Sequence, residues 1–196
     1  MKPYFLTHPV GVLYFLVLAV WYSLEFRQYL RQRARHSVRG ADSQNFWAAF
    51  WVAAPTAVLT LVAAPSLVPG AEIGHAGALF VVGMAMLVTG AALRIWSFET
   101  LGRYFTFAVK VSPEQPVVTD GPYRLLRHPG YTGGLLGTIA IGLLYGNWVG
   151  LVTLAVVFTV IVVWRIVIEE RALMAALDGR YGGYAAHHKR LIPLVW

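Results

Sequence analysis

The residues RHPGYTGG, 127–134, put an arginine, a histidine and a proline at the mouth of a glycine-rich apolar run. Pro129 has a fixed backbone and no N–H, which suits the first turn of a helix and biases His128 towards an extended conformation before it. The amides that follow can receive an anion, and Gly130, Gly133, Gly134 and Gly137 open the backbone to a ligand or to another helix. At Gly133 both uses stay open; at Gly137 and Gly142 helix packing is expected. His128 either caps the helix, meets a lipid phosphate or offers its ring as a donor to a ligand. Further along, Glu169 and Glu170 close a long apolar run, with Arg165 one turn before Glu169. Ionisable groups at such a depth are costly and mark candidate functional positions. Arg165 and Glu169 stand i, i+4 and can pair with each other. Adjacent residues point about 100° apart on a helix, so one glutamate at most faces a given pocket, leaving the other to Arg124, Arg127 or the tail. Carboxylates suit a cation and arginines an anion, so a zwitterionic ligand would use both.

These groups need elements to hold them. Of 196 residues, 58% are hydrophobic and 13% charged, and several apolar runs approach the roughly 20 residues that cross a bilayer as a helix. The expected fold is an all-α integral membrane protein with about five transmembrane helices, at 9–26, 45–68, 76–98, 129–145 and 148–168. Pro55 and Pro65 fall in the second span, where neighbouring helices must satisfy the freed carbonyls. Gly146 and Asn147 make a tight turn between the last two. The first run follows Lys2 but lacks a small-x-small cleavage site, so it reads as a retained span. A single membrane domain is expected over 1–196, with N-terminal spans in 1–75 and a core in 94–196. The absence of cysteine excludes disulfides, thiolate metal sites and cysteine nucleophiles, and no metal site is expected.

Charge gives the orientation. If these spans hold, Arg27, Arg31, Arg33, Arg35 and Arg39, then Arg94, Arg103, Lys110, Arg124 and Arg127, then Arg165, Arg171, Arg180, Lys189 and Arg190 share one face, leaving only Lys2 on the other. The positive-inside rule then puts the C-terminus in the cytoplasm and the N-terminus outside. The membrane would be the inner or plasma membrane of a bacterium, or the endoplasmic reticulum of a eukaryote. The net charge of +7 is accounted for by topology and by attraction to anionic lipid headgroups, with no nucleic-acid partner. The same topology gathers 99–134, WRIVIEER (164–171) and the tail at one interface, where they can form one site.

Taken in order, GPYRLLRHPGYTGG (121–134), a short helical hairpin, RIVIEERAL (165–173) and GRYGGYAAHHKRLIP (179–193) resemble the isoprenylcysteine carboxyl methyltransferase family. That family belongs to the integral-membrane methyltransferases, which also include phospholipid N-methyltransferases. LGRYFTFAVKV (101–111) and QPVVTDGPYR (115–124) follow the same pattern upstream. The resemblance implies S-adenosyl-L-methionine as methyl donor, in a cytoplasmic-side pocket built by the C-terminal half without a Rossmann sheet. It implies cofactor-binding roles for His128, Pro129, Tyr131, Gly133, Glu170, Tyr181 and Tyr184, and matches Arg190 with Pro193 to a closing R-x-x-P. Where relatives with protein substrates carry a more acidic run, this chain has IVIEE, a departure that bears on the acceptor.

Methyl transfer is an in-line displacement that needs alignment and exclusion of water. A carboxylate acceptor is already ionised, and Arg165 is the expected group to hold it because a guanidinium fork matches carboxylate geometry. Arg165 and Glu169 are therefore the expected catalytic residues. An amine or thiol acceptor would need a base, for which a glutamate or His128 is available. The expected function is carboxyl O-methylation of a lipophilic or lipidated acceptor. Phospholipid N-methylation, small-thiol S-methylation and a non-enzymatic scaffold or sensor are the alternatives.

Overall fold

In a bilayer, long apolar runs satisfy their backbone groups internally as helices. In the computed structural model each such run does so. Residues 3–33, 43–105, 111–177, 179–192 and 196 are described. Pro193, of the closing R-x-x-P, and residues 106–110 of the upstream motif lie outside them. The helices are α1 (Tyr4–Thr7), α2 (Gly11–Arg33), α3 (Ser43–Leu67), α4 (Ala76–Leu101), α5 (Pro129–Tyr145), α6 (Trp148–Leu177) and α7 (Gly179–His187). Short 3-10 turns occur at Pro69–Ala71, Gly102–Tyr104 and Gly121–Arg124.

Phe50–Leu67, Ala76–Tyr104 and Trp148–Leu177 are long and apolar enough to cross a membrane. Their outer faces carry exposed apolar side chains, among them Val52, Leu59, Val81 and Val160. Such belts suit lipid rather than water, and the protein is all-α and membrane-embedded. The expected helices are present, with two differences of extent. α2 continues past 26 to Arg33, and α6 past 168 to Leu177. Hydropathy marks only the lipid-buried part of a helix, whereas Arg, Gln, Glu, Leu and Ala keep it wound beyond that part. Glu169 and Glu170 therefore sit inside α6, with two further turns of helix after them. α3 runs through Pro55 and Pro65 without ending.

α4 and α5 cross antiparallel at glycines. A Cβ on Gly90 would lie 2.6 Å from the Gly133 carbonyl oxygen, and one on Gly133 would lie 2.6 Å from that of Gly90. This is the small-residue contact that lets two membrane helices approach closely. α5 then reverses at Gly146, whose φ of +67° closes the helix in the left-handed region. Asn147, fully buried, caps α6 with its Oδ1, which accepts from the Val149 and Gly150 amides at 3.0 and 3.4 Å. Its Nδ2 donates to the Val68 and Ala64 carbonyls at 3.0 and 3.4 Å, tying the end of α3 to the hairpin. α3 lies along α6 through Ala57, Leu61 and Leu154. The N-terminal helices are part of the packing: Phe5 and Tyr14 share a buried cluster with Phe80, Met84, Leu87, Ala140 and Leu144.

Candidate functional site

The loop before α5 and the tail after α6 are sewn together by their backbones. The Arg127 and His128 amides donate to the Lys189 and Arg190 carbonyls at 2.8 and 3.0 Å. The Tyr184 hydroxyl donates to the Tyr123 and Leu126 carbonyls at 2.7 and 3.1 Å, and the Thr132 hydroxyl to that of Leu191 at 2.8 Å. Tyr181 and Tyr184, one turn apart on α7, bury their rings with Leu177 against Val111, Val117 and Leu173. Burial pushes the phenols of Tyr123, Tyr181 and Tyr184 up, with Glu169 adding to the effect at Tyr123 and Glu170 at Tyr181, so all three stay protonated donors.

Pro129 begins α5, and the His128 carbonyl accepts from the Tyr131 and Thr132 amides at 3.0 and 3.1 Å. Those two amides are therefore not open to an anion. The His128 side chain makes no cap. Its ring, 5% exposed, faces Glu170, with Nε2 3.1 Å from Oε1. The same carboxylate accepts from Arg127 Nη1 at 2.7 Å and from Arg190 Nε at 2.9 Å. Glu170 thus joins α6, the start of α5 and the tail in one buried ion cluster.

One residue earlier, Glu169 points elsewhere. Its Oε2 accepts from the Tyr131 hydroxyl at 2.7 Å, and that phenol oxygen lies 3.4 Å from Arg165 Nε, an N–H donor. Carboxylate, phenol and guanidinium form a row on the wall of a cavity of about 520 Å3, and Arg165 is only 5% exposed.

The cavity is bounded by α2, α4, α5, α6 and the tail. His128, Tyr131, Arg165, Glu169, Tyr181 and Tyr184 line it, whereas Pro129, Gly133 and Glu170 do not. Pro129 serves the helix start, Gly133 the crossing with α4, and Glu170 the ion cluster. Gly137 faces the Trp21 ring and Gly142 faces Leu151, as expected of packing positions.

Among the described residues, two buried donors on the wall have no hydrogen-bond partner, Arg127 Nε and the Tyr181 hydroxyl. Unpaired polar atoms in such a place mark where a ligand's acceptors fit. α2 adds Leu18, Trp21, Tyr22 and Glu25 to the wall, a contribution the motif reading missed. Glu25 pairs with Arg94 of α4 and accepts from Trp21 Nε1 at 3.2 Å; Arg94 Nη1 also donates to the Gly130 carbonyl at 3.0 Å. The signal was present, since Glu25 is the one acid of the first apolar run.

A family profile described as phospholipid methyltransferase matches residues 78–178. Protein-S-isoprenylcysteine O-methyltransferases B and A of Arabidopsis thaliana are 31% and 34% identical over 115 residues, 58% of this chain and 58% of each relative. The structure of the eukaryotic intramembrane Ras methyltransferase isoprenylcysteine carboxyl methyltransferase superposes with a TM-score of 0.70. The superposition covers 91% of this chain and 64% of that one at 21% identity, a likeness of fold. The chain spans about three-fifths of the length of these relatives. With the matched segment running from α4 to the end of α6 and carrying the Arg165–Tyr131–Glu169 row, the chain belongs to the phospholipid methyltransferase family.

Proposed function

We propose that this protein is an S-adenosylmethionine-dependent methyltransferase that esterifies the carboxylate of a lipophilic acceptor, such as an isoprenylcysteine-like group. The observation that carries the proposal is the Arg165–Tyr131–Glu169 row: a cation and an anion on one cavity wall, joined through a phenol. The cavity volume of about 520 Å3 falls in the range of roughly 300–1,000 Å3 typical of small-molecule sites. Its chemistry fits the cofactor: Glu169 suits an ammonium group, and the unpaired Arg127 Nε and Tyr181 hydroxyl suit a carboxylate. When bound, S-adenosylmethionine supplies an electrophilic sulfonium methyl group.

The chain's own residues then do three things. Arg165 holds an acceptor carboxylate on the membrane side of Glu169. Tyr131 fixes both charges in one orientation, so that neither has to reorganise. The apolar wall, including Phe98, Ile141 and Phe158, excludes water. A carboxylate needs no general base, and alignment alone supplies on the order of 7–11 kcal/mol. The catalytic core is 94–196, with the spans of 1–75 closing one side of the cavity within a single membrane domain.

The proposed topology has five spans, including α2 and α5, with the N-terminus outside and the C-terminus and cofactor pocket at the cytoplasmic face. It rests on the fifteen basic residues that this arrangement places on one side. Reporter fusions at both ends test it, and a C-terminus outside the cytoplasm would refute it.

The family profile favours a second reading, N-methylation of a phospholipid amine. One experiment separates the two. Purified protein is incubated with methyl-labelled S-adenosylmethionine and a panel of prenylcysteine and ethanolamine lipids. Label on a carboxyl is released as methanol by alkali, and label on nitrogen is retained. Alkali-stable label would select the second reading, and absence of both transfer and cofactor binding would sink the enzyme proposal. Glu169→Gln should weaken calorimetric cofactor binding in a variant that stays folded in detergent.

A further inference from the structure

A second cavity, of about 480 Å3, lies between the C-terminal ends of α2 and α4. Leu24, Arg27, Gln28 and Arg31 supply its α2 side, at the i, i+3, i+4, i+7 spacing of one helix face. Ile95, Phe98, Glu99, Gly102 and Arg103 supply the other side. Phe98 and Phe105 line both cavities and form the partition between this one and the methyltransferase cavity. Three arginines against the single carboxylate of Glu99 leave it with an excess of two positive charges.

Elsewhere three arginines are ion-paired: Arg94 with Glu25, and Arg127 and Arg190 with Glu170. Here Arg103 Nη2 donates to the Tyr104 hydroxyl at 2.7 Å and its guanidinium lies 4.9 Å from that ring. Arg27 and Arg31 have no ion pair or hydrogen bond among the described residues. Two like charges one turn apart work against the helix that carries them unless an anion stands between them. Leu24, Ile95, Phe98 and Phe105 give the cavity an apolar part, and Phe26 and Leu30, on the outer face of α2 away from the recess, are 60% and 47% exposed. A basic, partly apolar recess next to an apolar outer helix face matches an amphiphile whose head is anionic.

We propose that this recess binds the phosphate headgroup of an anionic membrane lipid, with the acyl chains lying along the outer face of α2. The site is separate from the cofactor and acceptor cavity, and the proposal does not depend on the methyl-transfer reading. Arg27 and Arg31 hold the phosphate, and Arg103, fixed by Tyr104, closes the third side. The lipid thereby offsets the excess positive charge that Glu99 alone leaves among the described residues of the recess.

The test uses the full chain in neutral detergent, with phosphatidylglycerol or phosphatidylcholine added, reading retained lipid by native mass spectrometry and melting temperature in parallel. Phosphatidylglycerol should be retained in preference to phosphatidylcholine and should raise the melting temperature. A surface arginine near an anionic headgroup contributes about fivefold in affinity, so Arg27→Gln with Arg31→Gln should weaken phosphatidylglycerol binding about 30-fold. Both side chains are exposed, so the variant should fold, and Arg27→Lys with Arg31→Lys should keep most of the binding. Arg124→Gln, an exposed charge outside the recess, should bind as the parent does. The proposal is overturned if the double glutamine variant retains phosphatidylglycerol like the parent. It is equally overturned if Arg124→Gln loses as much, or if the parent shows no preference for the anionic lipid. Equal stabilisation by glycerol phosphate at the same concentration would reject a lipid in favour of a soluble anion.

Discussion

On one side of α6, Glu170 is 7% exposed and gripped by Arg127, His128 and Arg190; on the other, Glu169 lines a cavity and accepts from the Tyr131 phenol. The same residue type, one position apart, is spent on architecture in the first place and is available to a ligand in the second. The difference lies in what packs against each face. The loop before α5 and the tail converge on the Glu170 side and bring their cations with them, whereas on the Glu169 side α5 presents a phenol and then opens. An acidic pair in a sequence is thus two different objects once the helix turns by about 100° between them.

The largest expected effect comes from breaking the ion cluster. Glu170→Ala leaves two guanidinium groups and the His128 ring around a buried vacancy, and removing one partner of a buried ion pair typically costs about 3–5 kcal/mol. The expected outcome is a large fall in thermal stability in detergent and in folded yield, with activity per folded molecule changing less. A Glu170→Ala protein that melts like the parent would show that the cluster does not hold the tail.

Arg165→Met tests the other side. Loss of a buried charge-assisted contact to the acceptor costs about 2–5 kcal/mol, roughly 30- to 5,000-fold in turnover. Cofactor affinity should change far less than turnover. If Arg165 were only a structural partner of Glu169, melting temperature would fall and turnover per folded molecule would not. If cofactor affinity fell in step with turnover, Arg165 would belong with the cofactor.

Tyr184→Phe takes the donor from two backbone carbonyls, those of Tyr123 and Leu126. Leaving buried acceptors unsatisfied costs about 1–3 kcal/mol, and hydrogen exchange should rise over 123–132 and 185–191 before it rises elsewhere. Unchanged exchange there would separate the tail from the positioning of the site.

The smallest effect is the sharpest discriminator. The Tyr181 hydroxyl is buried with no partner among the described residues, so Tyr181→Phe should leave stability within about 0.5 kcal/mol of the parent. If that hydroxyl serves the cofactor, affinity should still fall, by about 0.5–1.5 kcal/mol or roughly two- to tenfold. Unchanged affinity would remove Tyr181 from the cofactor site.

The helices, and the set of residues that meet near the start of α5, were legible in the chain. Hydropathy gives a helix its existence because lipid leaves the backbone no other partner, and Pro129, the Gly146–Asn147 turn and the spacing of Arg165 to Glu169 are local features. Hydropathy missed the tail helix α7, since an amphipathic segment with Gly182 and Gly183 carries neither an apolar run nor strong helix propensity. It also missed that α2 lines the cavity, because Trp21, Tyr22 and Glu25 reach it only through long-range packing on α4 and α5. Which glutamate faces inward, and whether Gly133 meets a ligand or another helix, stay open in the sequence, and the contact of His128 with Glu170 is not among the roles the sequence offers that ring. Each depends on the rotation of one helix about its own axis against its neighbours. Residue types and spacing determine what charges are present and how far apart they lie along the chain; only the packing of α4, α5, α6 and the tail decides which of them neutralise one another and which are left facing a cavity.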